Sequence, residues 1–457
     1  MEIDRNRLGH MRIAFVMHGS RGDVQPAVAL GAELSRRGHS VELAVPDDLV
    51  AAVSRSGLPT RSLCPSTSEL LSSPLVKRDL KSWNPYKRLT ALRKVGSHGS
   101  AMSERVMGEL ADTADVLVGG PLAQERAATV AESRGIAFVP LHYCPIRPNH
   151  QLSPLYRPLP TAISAAVWRT ADFLFSLTQR PGDRALRRRL GLPSVSGTIG
   201  ARLRRRGSPE IQAYDAELFP LLEDEWGKQR PFTGFLLPDS QTRAKLNGHN
   251  DDSQTTSILD WIRSGPSPVY VGFGSMHIPP DRISSIVDAI LSLRLRVIAH
   301  TPHALPERDG LLHITDPVDH EVLFPACRAA VHHGGAGTTA AALRAGIPSV
   351  IGWLSADQPL WAAALRDRGA GTGAPLSHLS DTDLELLTAS EPYRAAQALA
   401  SRIVDPEEAV DAACDVILQA AAAGPTLYAG VPPDGARSAG VPPDGASRLH
   451  APTTPRT

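Results

Sequence analysis

The sequence predicts a two-part α/β protein, each part a parallel sheet doubly wound by helices. Two observations carry this. An almost uniformly apolar strand, "MRIAFVM" (11–17), runs through a glycine-bearing loop into a helix and a second strand, as a central parallel strand covered on both faces would. The same alternation then restarts at "PVYVGFGSM" (268–276). Length agrees, because 457 residues exceed one ordinary domain of ~100–200.

In the first part, "VQPAVALGAELSRRGH" places apolar residues at Ala27, Val28, Leu30 and Leu34, a helical spacing that Gly38 ends, and "VELAVP" opens a second strand at Val41. "DVLVGG" (115–120) and "IAFVPLHY" (136–143) read as further strands around the helical "AQERAATVAESRG". After Gly191 the periodicity weakens, and "KQRPFTGFLLPDS" (228–240) reads as a hinge. In the second part, "DDSQTTSILDWIRSG" reads as a helix, and strands recur in "RVIAH", "LLHITD", "AAVHHGG" and "PSVIGW". The boundaries expected are 11–225 and 241–400 for the two domains, 226–240 for the linker and 401–423 for a helical segment. Beyond it, 424–457 holds a tandem "AGVPPDGARS"/"AGVPPDGASR" duplication that reads as a disordered tail. Two halves joined by a hinge imply a cleft.

Composition narrows the function. With 48 Lys plus Arg against 47 Asp plus Glu, no global field recruits nucleic acid. The four cysteines, Cys64, Cys144, Cys327 and Cys414, form no C-x-x-C pair, so neither a zinc site nor a disulfide framework is expected. The polar N-terminus and the lack of a long apolar run predict a cytoplasmic chain with no membrane span. The basic stretches at 184–191 and 201–208 read as a solvated face, with weak contact to a membrane surface or an acidic acceptor as the alternative. Met102, Met107, Trp83 and Trp168 either line an apolar pocket or pack the core.

The richest stretch is "AAVHHGGAGTTAAALRAGIPSVIGWLSADQPLWAAAL" (329–365). A strand delivers His332 and His333 into a loop of small residues, Gly334, Gly335, Ala336 and Gly337, and Thr338 opens a helix. Exposed backbone N–H groups and a helix N-terminus together suit a phosphate or pyrophosphate; a tight turn with capping threonines is the plainer reading. Gly274 and Ser275 end a second strand at the same sheet edge, and Asp357-Gln358 follows a third. An acid beside an amide suits sugar hydroxyls, and such sheets bind ligands at the carboxyl ends of their strands. The histidine pair carries no further ligand at metal spacing, so no metal is expected. In "MHGSRGDVQP" (17–26), Asp23 either caps the following helix or serves a reaction, or does both.

"VYVGFGSM", "HHGGAGTTAAALRAGIP" and "ADQPLW", with "GSRGDVQP" near the start, resemble the family 1 nucleotide-sugar-dependent glycosyltransferases of the GT-B fold, two Rossmann-like domains facing across a cleft. Within it they are most similar to vancomycin-type natural-product transferases and sterol glucosyltransferases. The resemblance covers roughly 11–420 and implies an inverting transfer of a hexose or deoxyhexose from a UDP- or dTDP-sugar to a hydroxyl of an antibiotic, polyketide or sterol-like acceptor. It implies Asp23 as general base, and Ser20, Gly274, Ser275, His332, Gly334, Gly335, Ala336, Gly337 and Thr338 around the donor. Asp357 and Gln358 fall on the sugar-binding pair, and Val318 on the base-binding loop "DPVDHEVLFP", with uracil and thymine both open. It implies no cofactor, the nucleotide sugar being a co-substrate. Many relatives pair a histidine base with an aspartate about a hundred residues later; this chain has Asp23 at the first position and Gly119-Gly120 at the second. An epimerase or hydrolase of the same plan, or a non-catalytic activator of a partner transferase, are the alternatives.

Overall fold

The computed structural model describes residues 9–66, 99–153, 160–248, 253–276 and 278–424. Residues 425–457, with the duplicated repeat, and Trp83 lie outside them. The chain folds into two six-stranded sheets, parallel throughout.

The first sheet holds β1 (Arg12–Val16), β2 (Ser40–Pro46), β3 (Thr60–Cys64), β4 (Val116–Gly119), β5 (Ala137–His142) and β6 (Ile211–Gln212) in the order β3-β2-β1-β4-β5-β6. Period-two alternation sorts β1 between two layers. Ile13, Phe15 and Met17 join one core with Val28 and Leu30 of the helix Arg21–Arg36, while Ala14 and Val16 join the other with Leu110 and Leu117. The second sheet holds β7 (Val269–Gly272), β8 (Val297–His300), β9 (Leu311–Ile314), β10 (Ala329–His332), β11 (Ser349–Trp353) and β12 (Gly371–Pro375) in the order β12-β11-β10-β7-β8-β9. Counted from its own first strand, each sheet has the same order. Each therefore reverses winding between its first and fourth strands, at β1/β4 and at β7/β10, where a crevice opens beyond the strand ends.

The two domains meet through an aromatic cluster. Trp361, fully buried in the second, lies 5.9 Å from Tyr214 and 5.5 Å from Phe219 of the first, ring centre to ring centre. The chain then returns. Helix Pro406–Ala423 sets Ala413, Cys414 and Ile417 into the first domain's core beside Leu30, and Arg37 clamps it through Asp411 and Asp415 at 2.5 and 2.7 Å. Helix Ser240–Asn247 also sits on the first domain, with Leu246 in that core and Arg55 donating to the Leu246 carbonyl at 2.9 Å.

One reading of the sequence changes here, and another is decided between its two alternatives. The basic stretches are not wholly a solvated face: Arg187 is 1% exposed and pairs with both oxygens of Glu132, Arg206 meets the same carboxylate at 2.7 Å, and Arg202 reaches Asp183. Burial alone would raise the Glu132 carboxyl, but hydrogen bonds from Arg187 and the charge of Arg206 hold it down at about 2. Met107 packs the core, as the second of its two readings had it: it is wholly buried beside Val106 and Leu110, with Met102 packed against that core. Trp168 is half-buried and donates its indole N–H to the Leu152 carbonyl at 2.7 Å. Among the described residues no helix is long and apolar enough to cross a membrane.

Candidate functional site

Asp23 stands just beyond β1, at the carboxyl edge of the first sheet. β1 leads into Gly19, whose φ of +120° lets the chain turn, and Ser20 caps the helix Arg21–Arg36. Asp23 is the third helical residue and reaches back, so that its Oδ2 accepts from the Ser20 backbone N–H and, at 2.9 Å, from the Ser20 hydroxyl. Asp23 thus does cap the helix, and Ser20 is bound to Asp23. β4 ends beside β1, pairing Gly119 with Val16. β5 leads into Tyr143, whose phenol pKa is pushed well above the usual tyrosine range, by burial first and then by the charge of Asp23.

The second domain answers from across the cleft. Gly274 follows β7 in a left-handed turn at φ +57°, and Ser275 beyond it is exposed. β10 pairs Gly272 with His332, bringing this turn beside the glycine loop. Gly334 is also left-handed, and Gly335 caps the helix Ala336–Arg344, leaving Gly337 exposed and Thr338 half-buried at its first turn.

The two histidines divide as neighbours on a strand must. His332 is wholly buried, and burial pushes its pKa well below the usual histidine range. Its Nδ1 accepts from the Gly334 N–H at 3.0 Å, so the neutral ring carries its proton on Nε2, which has no partner. His333 lies against Gly274 and Gly335: a Cβ on Gly274 would stand 3.1 Å from its Cε1, and one on Gly335 would stand 2.6 Å from its Nε2. Burial lowers its pKa to about 4, and its Nδ1 is also without a partner, as is the Thr339 hydroxyl. Three unpartnered buried polar atoms thus surround one loop.

β11 leads to Asp357 through Ala356, a non-glycine residue at φ +61°. One Asp357 oxygen accepts the Trp361 indole N–H at 2.7 Å, and burial raises the carboxyl's pKa, with the Asp23 charge adding to it. Gln358 turns its amide oxygen to the N–H groups of Leu354 and Ser355, at 2.7 and 3.2 Å, and so shapes the loop. Asp23 and Asp357 therefore feel one another across the cleft, with Tyr143 near both. Val318 is half-buried against the core beneath β9, next to Asp319, which Arg243 holds at 3.0 Å. Among the described residues no group of three or more His, Cys, Asp and Glu is placed to hold a metal ion.

Tyr143 and Trp361 were not singled out from sequence. Tyr143 is the last residue of the strand read from sequence at 136–143, so the rule that ligands bind at strand C-termini could have found it. Trp361, four residues after Asp357, had only helical spacing to signal it.

Residues 13–99 match the model of the glycosyltransferase family 28 N-terminal domain, and 288–419 match the erythromycin biosynthesis protein CIII-like C-terminal domain. An uncharacterised glycosyltransferase of Mycobacterium leprae is 39% identical over 420 residues, which cover 89% of this chain and 96% of that one. The vancomycin aglycone glucosyltransferase of Amycolatopsis orientalis is 27% identical, over 85% of this chain and 93% of its own. The crystal structure of glycosyltransferase VinC in complex with dTDP superposes with a TM-score of 0.59 at 16% identity, covering 91% of this chain and all of that one.

Proposed function

The chain belongs to the family 1 glycosyltransferases of the GT-B fold, and on that premise we propose that it transfers a hexose or deoxyhexose from a UDP- or dTDP-sugar to a hydroxyl of an apolar natural-product acceptor. The first domain takes the acceptor and the second the donor. The acceptor oxygen attacks the anomeric carbon from the face opposite the diphosphate. The new C–O bond forms as the bond to the diphosphate oxygen breaks with its electron pair, and the acceptor proton passes to the Asp23 carboxylate. Attack from the opposite face inverts the anomeric centre. An aspartate is a weak base in the ground state but accepts the proton as the attacking hydroxyl grows acidic.

One observation carries this reading: a glycine loop at the carboxyl edge of the second sheet holds three unpartnered buried polar atoms, and the Asp357 carboxyl of the same edge feels the charge of Asp23 from the first domain. A buried donor left without a partner costs about 1–3 kcal/mol. A diphosphate accepting from His332 Nε2 and from the N–H groups of Ala336, Gly337 and Thr338 relieves that cost and meets the positive end of the helix dipole. Ser275 and His333 complete the cradle, Asp357 and Gln358 hold sugar hydroxyls, and Val318 packs on the base. The family models and the vancomycin aglycone enzyme support a natural-product acceptor, and the dTDP in VinC supports a dTDP donor beside UDP. Four free, buried cysteines suit the reducing cytoplasm as the place of reaction.

The test is incubation of the full chain with UDP- and dTDP-hexoses and a panel of hydroxylated polycyclic acceptors, read by mass spectrometry. A glycoside one hexose heavier than its aglycone is expected. Failure to bind any nucleotide sugar overturns the proposal, and donor turnover without any acceptor points instead to an epimerase or hydrolase.

A further inference from the structure

Tyr270 is buried in β7, and its hydroxyl extends over Gly272, where a Cβ would collide with it. Gly272 pairs with His300 of β8 on one side and with His332 of β10 on the other, so the hydroxyl stands at the carboxyl edge of the second sheet. There it bridges two rings, His300 Nδ1 at 2.9 Å and His320 Nε2 at 3.0 Å. His320 stacks on Phe324 at 4.6 Å between ring centres, and Phe324 in turn packs on Tyr270 at 5.0 Å. His320 opens the short helix His320–Leu323, two residues after Val318. Its neighbours are tied as well. Arg243 holds Asp319 at 3.0 Å, and Arg344, the last residue of the helix that Gly335 caps, forks onto Glu321 at 2.9 and 2.5 Å. Val318 packs against the core that contains Tyr270 and Phe324. Three successive side chains, Asp319, His320 and Glu321, are thus fixed to three different elements.

Counting protons orders the bridge. Burial lowers the pKa of both histidines, that of His320 to about 4, so both rings are neutral at pH 7. A hydroxyl has one hydrogen, so Tyr270 donates to one ring and accepts an N–H from the other. If it donates to His300 Nδ1, each histidine carries its proton on Nε2. If it donates to His320 Nε2, each carries it on Nδ1. Either way the two tautomers match.

We infer that Tyr270 is the positioning residue of the nucleobase slot, its hydroxyl holding His320, and with it Val318, in register with the glycine loop. This rests on the proposed donor reading, in which the diphosphate sits on the loop after β10 and the base on Val318. Whatever fixes residues 318–321 against β7 and β10 then fixes one end of the donor relative to the other. A slot held in place before binding loses less freedom when the nucleotide enters it.

Two measurements on the full chain test the inference, one of them free of any ligand. The side-chain 15N shifts of His300 and His320, assigned among the 16 histidines through His300→Gln and His320→Gln, are expected to report the same neutral tautomer at pH 7. Opposite tautomers overturn it. In Tyr270→Phe the two rings lose their common partner, and calorimetric Kd for UDP or dTDP is expected to rise about tenfold. Kd for inorganic pyrophosphate, which reaches only the glycine loop, is expected to stay at its wild-type value. An equal rise for pyrophosphate is the mark of a merely structural loss and overturns the inference. Wild-type nucleotide Kd in the Phe variant overturns the inference alone, whereas a wild-type chain that binds neither nucleotide overturns the donor reading and the slot with it.

Discussion

Gly19 leaves open the space that the Asp23 carboxyl group fills, and a Cβ at Gly19 would collide with it. With φ at +120°, the position also excludes most side chains on backbone grounds. Gly19→Ala should therefore lower stability by about 1–2 kcal/mol and displace Asp23, cutting turnover far more than donor affinity. Thermal melts and donor titration beside transfer assays check this. Activity equal to wild type would mean that Asp23 need not sit where it does.

Trp361 supports Asp357 through its indole N–H and also seals the domain interface. In Trp361→Phe the ring remains but the Asp357 oxygen loses its donor, so donor KM should rise by about tenfold, with a smaller change in kcat. Steady-state kinetics with varied nucleotide sugar separate the two constants.

Glu210 and Glu125 both feel the charge of Arg147 yet shift in opposite directions. Glu210 is wholly buried; burial would raise its carboxyl, but Arg147 at 2.5 Å and Arg230 at 3.0 Å hold it at about 2. Its folded pKa lies below the unfolded value of about 4.3. The stability it contributes is full above that value and lost as pH falls towards 2. Glu210→Gln should destabilise by about 3 kcal/mol near pH 7 and by less as the medium is acidified, read from denaturant midpoints across pH.

Glu125 is raised to about 7, by burial first and by Asp183 second. Here the folded pKa lies above the unfolded one, so its burial costs nothing below about pH 4.3 and progressively more as pH climbs to 7. Glu125→Gln should therefore raise the melting temperature at pH 8 and leave it unchanged at pH 4.

The strands that carry the site were legible because buried parallel strands are apolar throughout and end in glycine-bearing loops; β1, β7 and β10 all announce themselves in that way. The 29-residue helix Thr161–Arg189 was not. Its Phe173, Leu174 and Phe175 are exposed together and Pro181 lies inside it, so no apolar stripe of helical period marks it. The helix at the end of the second half was legible as a helix, yet its seat on the first domain depends on contacts such as Cys414 with Leu30, which no local pattern encodes. The placement of Asp23 just beyond β1 was read from a motif, whereas the reach of its charge to Tyr143 needs the sheet order, because β1 and β5 are separated by β4.

The account turns on Asp23 as the group that takes the acceptor proton. The most direct measurement compares Asp23→Asn with the wild-type chain in glycosyl transfer at saturating donor, with donor Kd measured on both by calorimetry. General-base catalysis contributes about 10²–10⁴-fold, so turnover should fall into that range while donor Kd stays unchanged. Turnover within a few-fold of wild type would contradict the account.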